Sequence, residues 1–513
     1  MPAKYTRLAS TALERSIAAM NDRRTRKMAF MPAWRPLYDG MRGAAAMIRG
    51  MPGRYAAVVV GGALLLVGCY AGSHLGTAAP GAMALLGTAA TASGLVVLLG
   101  ASLHLGAPAW VKRAAGWARW PAVALGGLLT LGTLGILLLG TASVVAFDPP
   151  GRAYWTDTIS FTHVDADLVV RGQNPYADDA GFVEALRRYP GALPTPLRHG
   201  AFGTGDTYPS DTRIAAVERV YLADAASADG SFDARTLHSY PALAFLLYVP
   251  FVWAGLPSIL WLHLLVYVAL FAWLVALAPA RARPWAALAA AAALSIEYSL
   301  PMDIEIVCVA LLLAAWHLRD RRWAGAALLG AACAFKQYCW LFAPFFAVEW
   351  GLRYGWREAA RRSGIALGAF LLPNLPYLVA SPGAWWSSLW LPLDEPLFPS
   401  GIGVVALARG GLLPFAPPAV YAVLEALALV AALWAALHWR DRLGDAVLLL
   451  PLVPLFFAFR SLPSYFAFAP WLALYAVNGL YARWSVLGRA QVVAAAGGAS
   501  ASRNASPPRQ PSR

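Results

Sequence analysis

Twelve runs of mainly apolar residues, most of them close to bilayer length, leave this chain little freedom to fold in water. They lie near 55–73, 81–105, 121–147, 258–280, 284–300, 303–318, 323–338, 339–352, 363–380, 415–437, 443–459 and 463–482. A helix rising 1.5 Å per residue needs about 20 such residues to cross roughly 30 Å of hydrocarbon, so several runs are short and the count is good to about two. Composition agrees: 59% of the 513 residues are apolar and 13% charged, against about 45–50% and 25% in soluble proteins. The expected fold is an all-α polytopic membrane protein with about 12 transmembrane helices and one large extracytoplasmic loop carrying short interfacial helices.

The net charge of +14 is a topology signal, and nucleic acid is not an expected partner. Residues 1–54 hold 11 Lys/Arg against 3 Asp/Glu, whereas 148–239 hold 13 acids and 8 basic residues. The N-terminal segment 1–54 is too long and basic for a secretory leader and is expected in the cytoplasm. Methionines 20, 28, 31, 41, 47 and 51 leave a downstream start open. The topology of the rest of the chain turns on residues 240–254. If they do not span, Arg281/Arg283, Arg319/Arg321/Arg322, Arg353/Arg357/Arg361/Arg362 and Arg440/Arg442 all fall inside, as the positive-inside bias requires. Pro241 and Pro250 bracket a run shorter than a crossing, so it reads as interfacial or re-entrant. Both termini are then cytoplasmic, with a disordered tail at 484–513. The 148–239 loop, 301–305, Lys336-Gln337, Trp385/Trp386 to Glu395 and Phe459-Arg460 all meet the outer face.

That loop is far longer than an ordinary connection. Its stretches FTHVDADLVV, GFVEALRRY and TRIAAVERVYLA read as short helices. Asp157 begins its most informative passage, at the membrane boundary, as either a solvated loop carboxylate or a site residue. The order Thr156-Asp157, then Gly172-Gln173-Asn174-Pro175-Tyr176, then Tyr240-Pro241-Ala242-Leu243, resembles the first outer loop of GT-C fold glycosyltransferases. The likeness is greatest to glycosyltransferase family 87, the polyprenyl-phosphate-mannose-dependent α-mannosyltransferases. Pro301-Met302-Asp303, Arg321-Arg322-Trp323-Ala324-Gly325 and Ala334-Phe335-Lys336-Gln337 continue it. The likeness covers residues 121–483 as a catalytic core; 55–120 would add two N-terminal helices. The loop is longer than that family's, and Ala242 stands where a second proline is common.

The resemblance implies a polyprenyl-phosphate-linked sugar donor, mannose above other hexoses, a lipid or glycan acceptor, reaction at the outer face of the cytoplasmic membrane with inversion, and a loop aspartate as general base. Such a transfer needs a base for the acceptor hydroxyl and positive charge for the departing phosphate. Asp157 is the candidate base, with Asp165 and Asp167 as alternatives. The latter two form an Asp-x-Asp pair open to Mg²⁺ or Mn²⁺, but on a helix residues two apart do not share a face.

Lys336, Arg460 and His238 are the candidate donor-phosphate contacts, because a cation inside an apolar stretch is costly unless it lines a polar site. Lys336 could equally snorkel to the interface. Asp303, Glu305, Gln337 and Tyr240 are candidate substrate contacts. Asp303 and Glu305 could instead pair with Lys336 or cap a helix. Trp385 and Trp386 read as aromatic-belt anchors, and His74, His104, His263, His317 and His438 as structural. Cys69, Cys308, Cys333 and Cys339, without metal-ligand spacing, read as buried thiols. The rival readings are a polytopic transporter or lipid-sugar flippase, a non-catalytic GT-C-like subunit, and an O-antigen ligase-type enzyme. No phosphate-binding loop, serine-hydrolase elbow or dinucleotide fingerprint is present.

Overall fold

The computed structural model describes residues 35–73, 79–103, 154–177, 181–223, 231–232 and 238–482, with a few between 124 and 139. The chain divides into two compact units, 1–50 with 483–513, and 51–482. Of the first, only 35–50 is described, and it is helical. The leader before residue 35, most of the expected span at 121–147, and the tail lie outside the described residues.

The second unit is helical, with a single two-residue strand pair among its described residues. Five described helices are long and apolar enough to cross a membrane: Gly53–Ser73, Pro80–Ser102, Leu260–Leu277, Trp356–Ala380 and Pro418–His438. A sixth is possible if Leu294–Leu300 and Glu305–His317, which meet at 111°, count as one broken span. Twelve full spans are therefore not seen among the described residues. Arg322–Phe335 and Ala343–Tyr354, with 14 and 12 residues, reach only about 21 and 18 Å at 1.5 Å per residue. Leu243–Leu246 and Val249–Trp253 are separate short helices, too short together to cross.

Lipid contact is written on the long helices. Val423, Leu427 and Val430 on Pro418–His438, and Leu372 and Val379 on Trp356–Ala380, are more than half exposed. Apolar surface this continuous is not tolerated in water. The first two spans are held together by small residues: Gly61 and Gly68 face Gly94 and Gly87, where a Cβ on Gly94 would stand 2.9 Å from the Gly61 carbonyl oxygen. Only glycine lets the backbones approach so closely. This hairpin also backs the 401–410 segment, with Thr88 Oγ1 donating to the Gly403 carbonyl at 3.2 Å.

Short connections force Glu305–His317, Arg322–Phe335, Ala343–Tyr354 and Trp356–Ala380 to run up and down. One end of this bundle collects arginine. There Asp445 accepts from Arg319 at 2.7 Å and from the Trp316 indole at 2.9 Å. Glu349 holds Arg440 at 3.1 Å, with Arg353 beside it, and Glu358 holds Arg322 at 2.6 Å and Arg362 at 3.1 Å. Exposed Trp323, Trp356 and Trp439 ring this end, as exposed Trp155, Trp253 and Trp386 ring the other. Two tryptophan girdles fit two membrane interfaces.

The opposite end carries the loop. Asp157–Val170, Gly181–Arg188 and Asp211–Ala223 are its helices, in the places the sequence marks. Its core is polar as well as apolar: the Tyr154 and Tyr189 hydroxyls each lie 2.8 Å from His163 Nδ1, and burial pushes the His163 pKa down to about 3. Trp385 is not a belt anchor. It is buried on Pro382–Asp394 with Tyr176, Ala242 and Phe245, and its indole donates to Asn374 Oδ1 at 3.0 Å. The same oxygen accepts the Ala242 amide at 2.9 Å, which ties the end of the loop to the bundle.

Candidate active site

The five segments expected on one face meet through explicit contacts. Thr156 Oγ1 donates to the Met302 carbonyl, joining the loop to 301–305. Thr158 Oγ1 lies 3.2 Å from the Tyr240 hydroxyl, and the Tyr240 ring lies under Lys336 Nζ at 4.8 Å. Gln337 donates to the Ser239 and Leu389 carbonyls, the latter at 3.2 Å, which brings in Pro382–Asp394. The Arg198 amide donates to the Pro396 carbonyl at 2.7 Å, and the Arg198 guanidinium stands 5.8 Å from the centre of the Phe459 ring. Finally Ser400–Gly401 and Arg460–Ser461 pair as parallel strands. Gly401, at φ +127°, has its Cβ position filled by the Ser461 backbone, so no other residue allows this pairing.

Asp157 opens its helix, where a carboxylate favours the N-terminal dipole. Its Oδ2 accepts the Thr195 amide at 2.7 Å and the Thr195 hydroxyl at 2.6 Å. The residue keeps partial exposure. Burial raises its pKa above the ordinary carboxylate value, opposed by the two Thr195 donors and by the charge of Arg460. A carboxylate so held is fixed in direction and is a stronger base than a solvated one.

The other candidates divide by what they are bound to. Asp165 is buried and paired with His238, Oδ2 to Nδ1 at 2.5 Å. Asp167 pairs with Arg171 and Arg188, each at 3.0 Å. The two aspartates therefore face different partners and make no joint metal site; among the described residues no group of three His, Cys, Asp or Glu could hold a metal ion. Of the three proposed phosphate contacts, two are engaged elsewhere: His238 by Asp165, and Lys336 by Asp303 at 2.9 Å and Glu305 at 2.6 Å. This is the pairing that the sequence left open for Asp303 and Glu305. Gln337 spends its amide donors on carbonyls, and Tyr240 spends its ring on Lys336, so these two order the site walls.

Arg460 differs. No ion pair or side-chain hydrogen bond reaches it among the described residues, and its Nε is buried without a partner. Arg409, at the end of Val404–Arg409, also has no acid partner there. Both act on half-buried Tyr208, whose pKa burial raises and the two arginines lower. Sequence reading gave no site role to Thr195, Arg198, Tyr208 or Arg409. Arg409 had a signal, a cation outside the positive-inside loops; Thr195 had none. Of the cysteines, Cys308, Cys333 and Cys339 are buried free thiols and Cys69 is partly exposed. No protein family, curated protein or solved structure matches this chain.

Proposed function

We propose that this is a membrane glycosyltransferase of GT-C type, which moves a hexose, mannose by the resemblance, from a polyprenyl-phosphate-linked donor to a lipid or glycan acceptor. The Arg-rich end of the bundle is read as cytoplasmic by the positive-inside bias, which puts the loop and Asp157 on the outer face of the cytoplasmic membrane. The observation that carries the reading is the pairing of functions at one place: a partly exposed carboxylate clamped by Thr195, within the field of an arginine that no acid neutralises among the described residues.

In this reading Asp157 takes the acceptor hydroxyl proton as that oxygen bonds to the anomeric carbon. The bond from that carbon to the phosphate oxygen breaks, and its electron pair leaves with the lipid phosphate beside Arg460. Inversion requires the base to act on the face of the sugar opposite the departing phosphate. Membranes supplied with labelled polyprenyl-phosphate-mannose test it. Transfer is expected, with loss of about 100-fold or more in Asp157→Asn, the usual scale for a general base; no transfer, or transfer equal in the variant, defeats the assignment.

A lipid-sugar flippase is the second reading. The 111° break between Leu294–Leu300 and Glu305–His317 favours it, since transporters use broken spans at their binding sites. It would move labelled lipid across the bilayer with no change in the sugar linkage.

A further inference from the structure

The buried arginine of the arginine-rich end is answered by an acid, Arg319 by Asp445 at 2.7 Å. The exposed arginines where Arg322–Phe335 and Trp356–Ala380 begin are not. Five of them, at 321, 322, 357, 361 and 362, surround one acid, Glu358. Its carboxylate accepts from Arg322 at 2.7 and 2.6 Å and from Arg362 at 3.1 Å, with Arg361 at 3.7 Å. Asp320, next in the chain to Arg321, is taken by Arg353 at 2.7 Å and by the Tyr354 hydroxyl at 2.5 Å. Arg321 and Arg357 each precede one end of the Arg322–Glu358 bridge. Both are exposed, and no ion pair or hydrogen bond engages their side chains among the described residues.

Helix direction concentrates this charge. The bridge joins the first turns of the two helices, and farther along both a Cβ on Gly330 would run into the Ala366 backbone. The helices therefore run side by side in the same direction with their N-termini level. Neither start carries a side-chain cap, at Arg321 or at Gly355, so the first-turn amides add their partial positive charge to that of the arginines. Trp323 and Trp356, both exposed, stand beside the bridge and set it at the depth of lipid headgroups. On Trp356–Ala380, exposed Arg357 and Arg361 share a face with exposed Gly364 and Gly368. A Cβ at either glycine would meet open space, and Leu367 and Leu372 beside them are exposed. A small soluble anion has no use for this apolar continuation below the cations; a lipid with acyl chains does.

We propose that this corner binds an acidic phospholipid of the adjoining leaflet, with Arg321, Arg357 and Arg361 about its phosphate and an acyl chain along the Gly364 and Gly368 face. Charge complementarity selects the headgroup: an acidic lipid relieves the repulsion among the arginines, whereas the ammonium of a zwitterionic lipid adds to it. The lipid is a bound partner at the opposite end of the bundle from Asp157, and its binding does not depend on the glycosyltransferase reading.

Native mass spectrometry of the full-length protein tests it, after release from nanodiscs that hold equal amounts of phosphatidylglycerol and phosphatidylcholine with the same acyl chains. Phosphatidylglycerol is expected to be retained about tenfold or more over phosphatidylcholine; equal retention overturns the proposal. The double variant Arg321→Gln/Arg357→Gln is expected to lower retention of phosphatidylglycerol by about tenfold or more, the worth of one charge-assisted hydrogen bond. Arg281→Gln removes an exposed arginine from another loop and is expected to retain the lipid as the parent does. A double variant that matches the parent, or an Arg281→Gln protein that loses as much, would show that general surface charge and not this corner holds the lipid. Gly364→Leu, which fills the open face, is expected to weaken retention at an unchanged Tm, and full retention overturns the acyl-chain placement. Inorganic phosphate that displaces phosphatidylglycerol as well as added phosphatidylglycerol does would mean a free-anion site, which also overturns the proposal.

Discussion

Asp157, Lys336 and Arg460 show how partners decide what a charge near a membrane can do. Lys336 has two carboxylates within 3 Å and is spent on structure. Arg460 has none among the described residues, and Asp157 has two neutral donors from Thr195 on one oxygen. That environment sets the pH dependence. In the proposed role Asp157 must be ionised, so activity is then expected to rise with pH through a value above the ordinary carboxylate pKa of about 4, because burial raises Asp157. Thr195→Val removes a bond that favours the ionised form and should move this acid limb higher still, with a smaller effect at high pH. A kcat/KM profile of Thr195→Val that superimposes on the parent would show that Thr195 does not position the base. Linkage has the matching sign: a carboxyl whose folded pKa lies above its unfolded value contributes stability at low pH that is lost as pH rises through that window.

Among the elements, close backbone contact at glycines holds the short helices in place. Arg322–Phe335 packs along Trp356–Ala380, and a Cβ on Gly330 would run into the Ala366 backbone. Gly364, on the second of these helices, faces open space. Gly330→Leu is therefore expected to destabilise by at least about 1–3 kcal/mol through overpacking, and Gly364→Leu to stay within about 0.5 kcal/mol of the parent. Thermal unfolding in detergent measures both, and equal losses would contradict the packing described. The elements also explain why the count of spans was hard to read. Apolar runs at 284–300, 323–338 and 443–459 are largely buried segments that need little lipid contact, and an apolar sequence does not distinguish a neighbour made of protein from one made of lipid. The π-helical turn at Tyr298–Met302 falls where the runs 284–300 and 303–318 meet, but the 111° between the helices on its two sides left no trace in the hydropathy pattern.

At the scale of the molecule, the arginine-rich end and the loop end must face opposite sides of the membrane if the proposed function holds. Single cysteines at 210 and 320, in a chain cleared of its own four, should react with an impermeant maleimide on opposite sides of sealed vesicles. Labelling of both from one side would refute the topology. Much of this architecture was legible: the apolar runs, the three loop helices, the short 240–254 segment and the meeting of five remote stretches can be read from hydropathy, charge and helical spacing. Asp157 was legible as a candidate, an acid just beyond an expected span. Its clamp was not, because Thr195 is remote in sequence and carries no pattern of its own.

The sequence by itself determined that the chain lives in a membrane, since so many apolar residues have no other stable solvent, and it determined which residues could bear charge near the boundary. Only the tertiary structure decided which of those charges remain uncompensated. Ion pairing depends on distance in space, and a distance of a few ångströms between Lys336 and Glu305, or its lack around Arg460, is set by how the helices pack and is written nowhere in the local order of the residues.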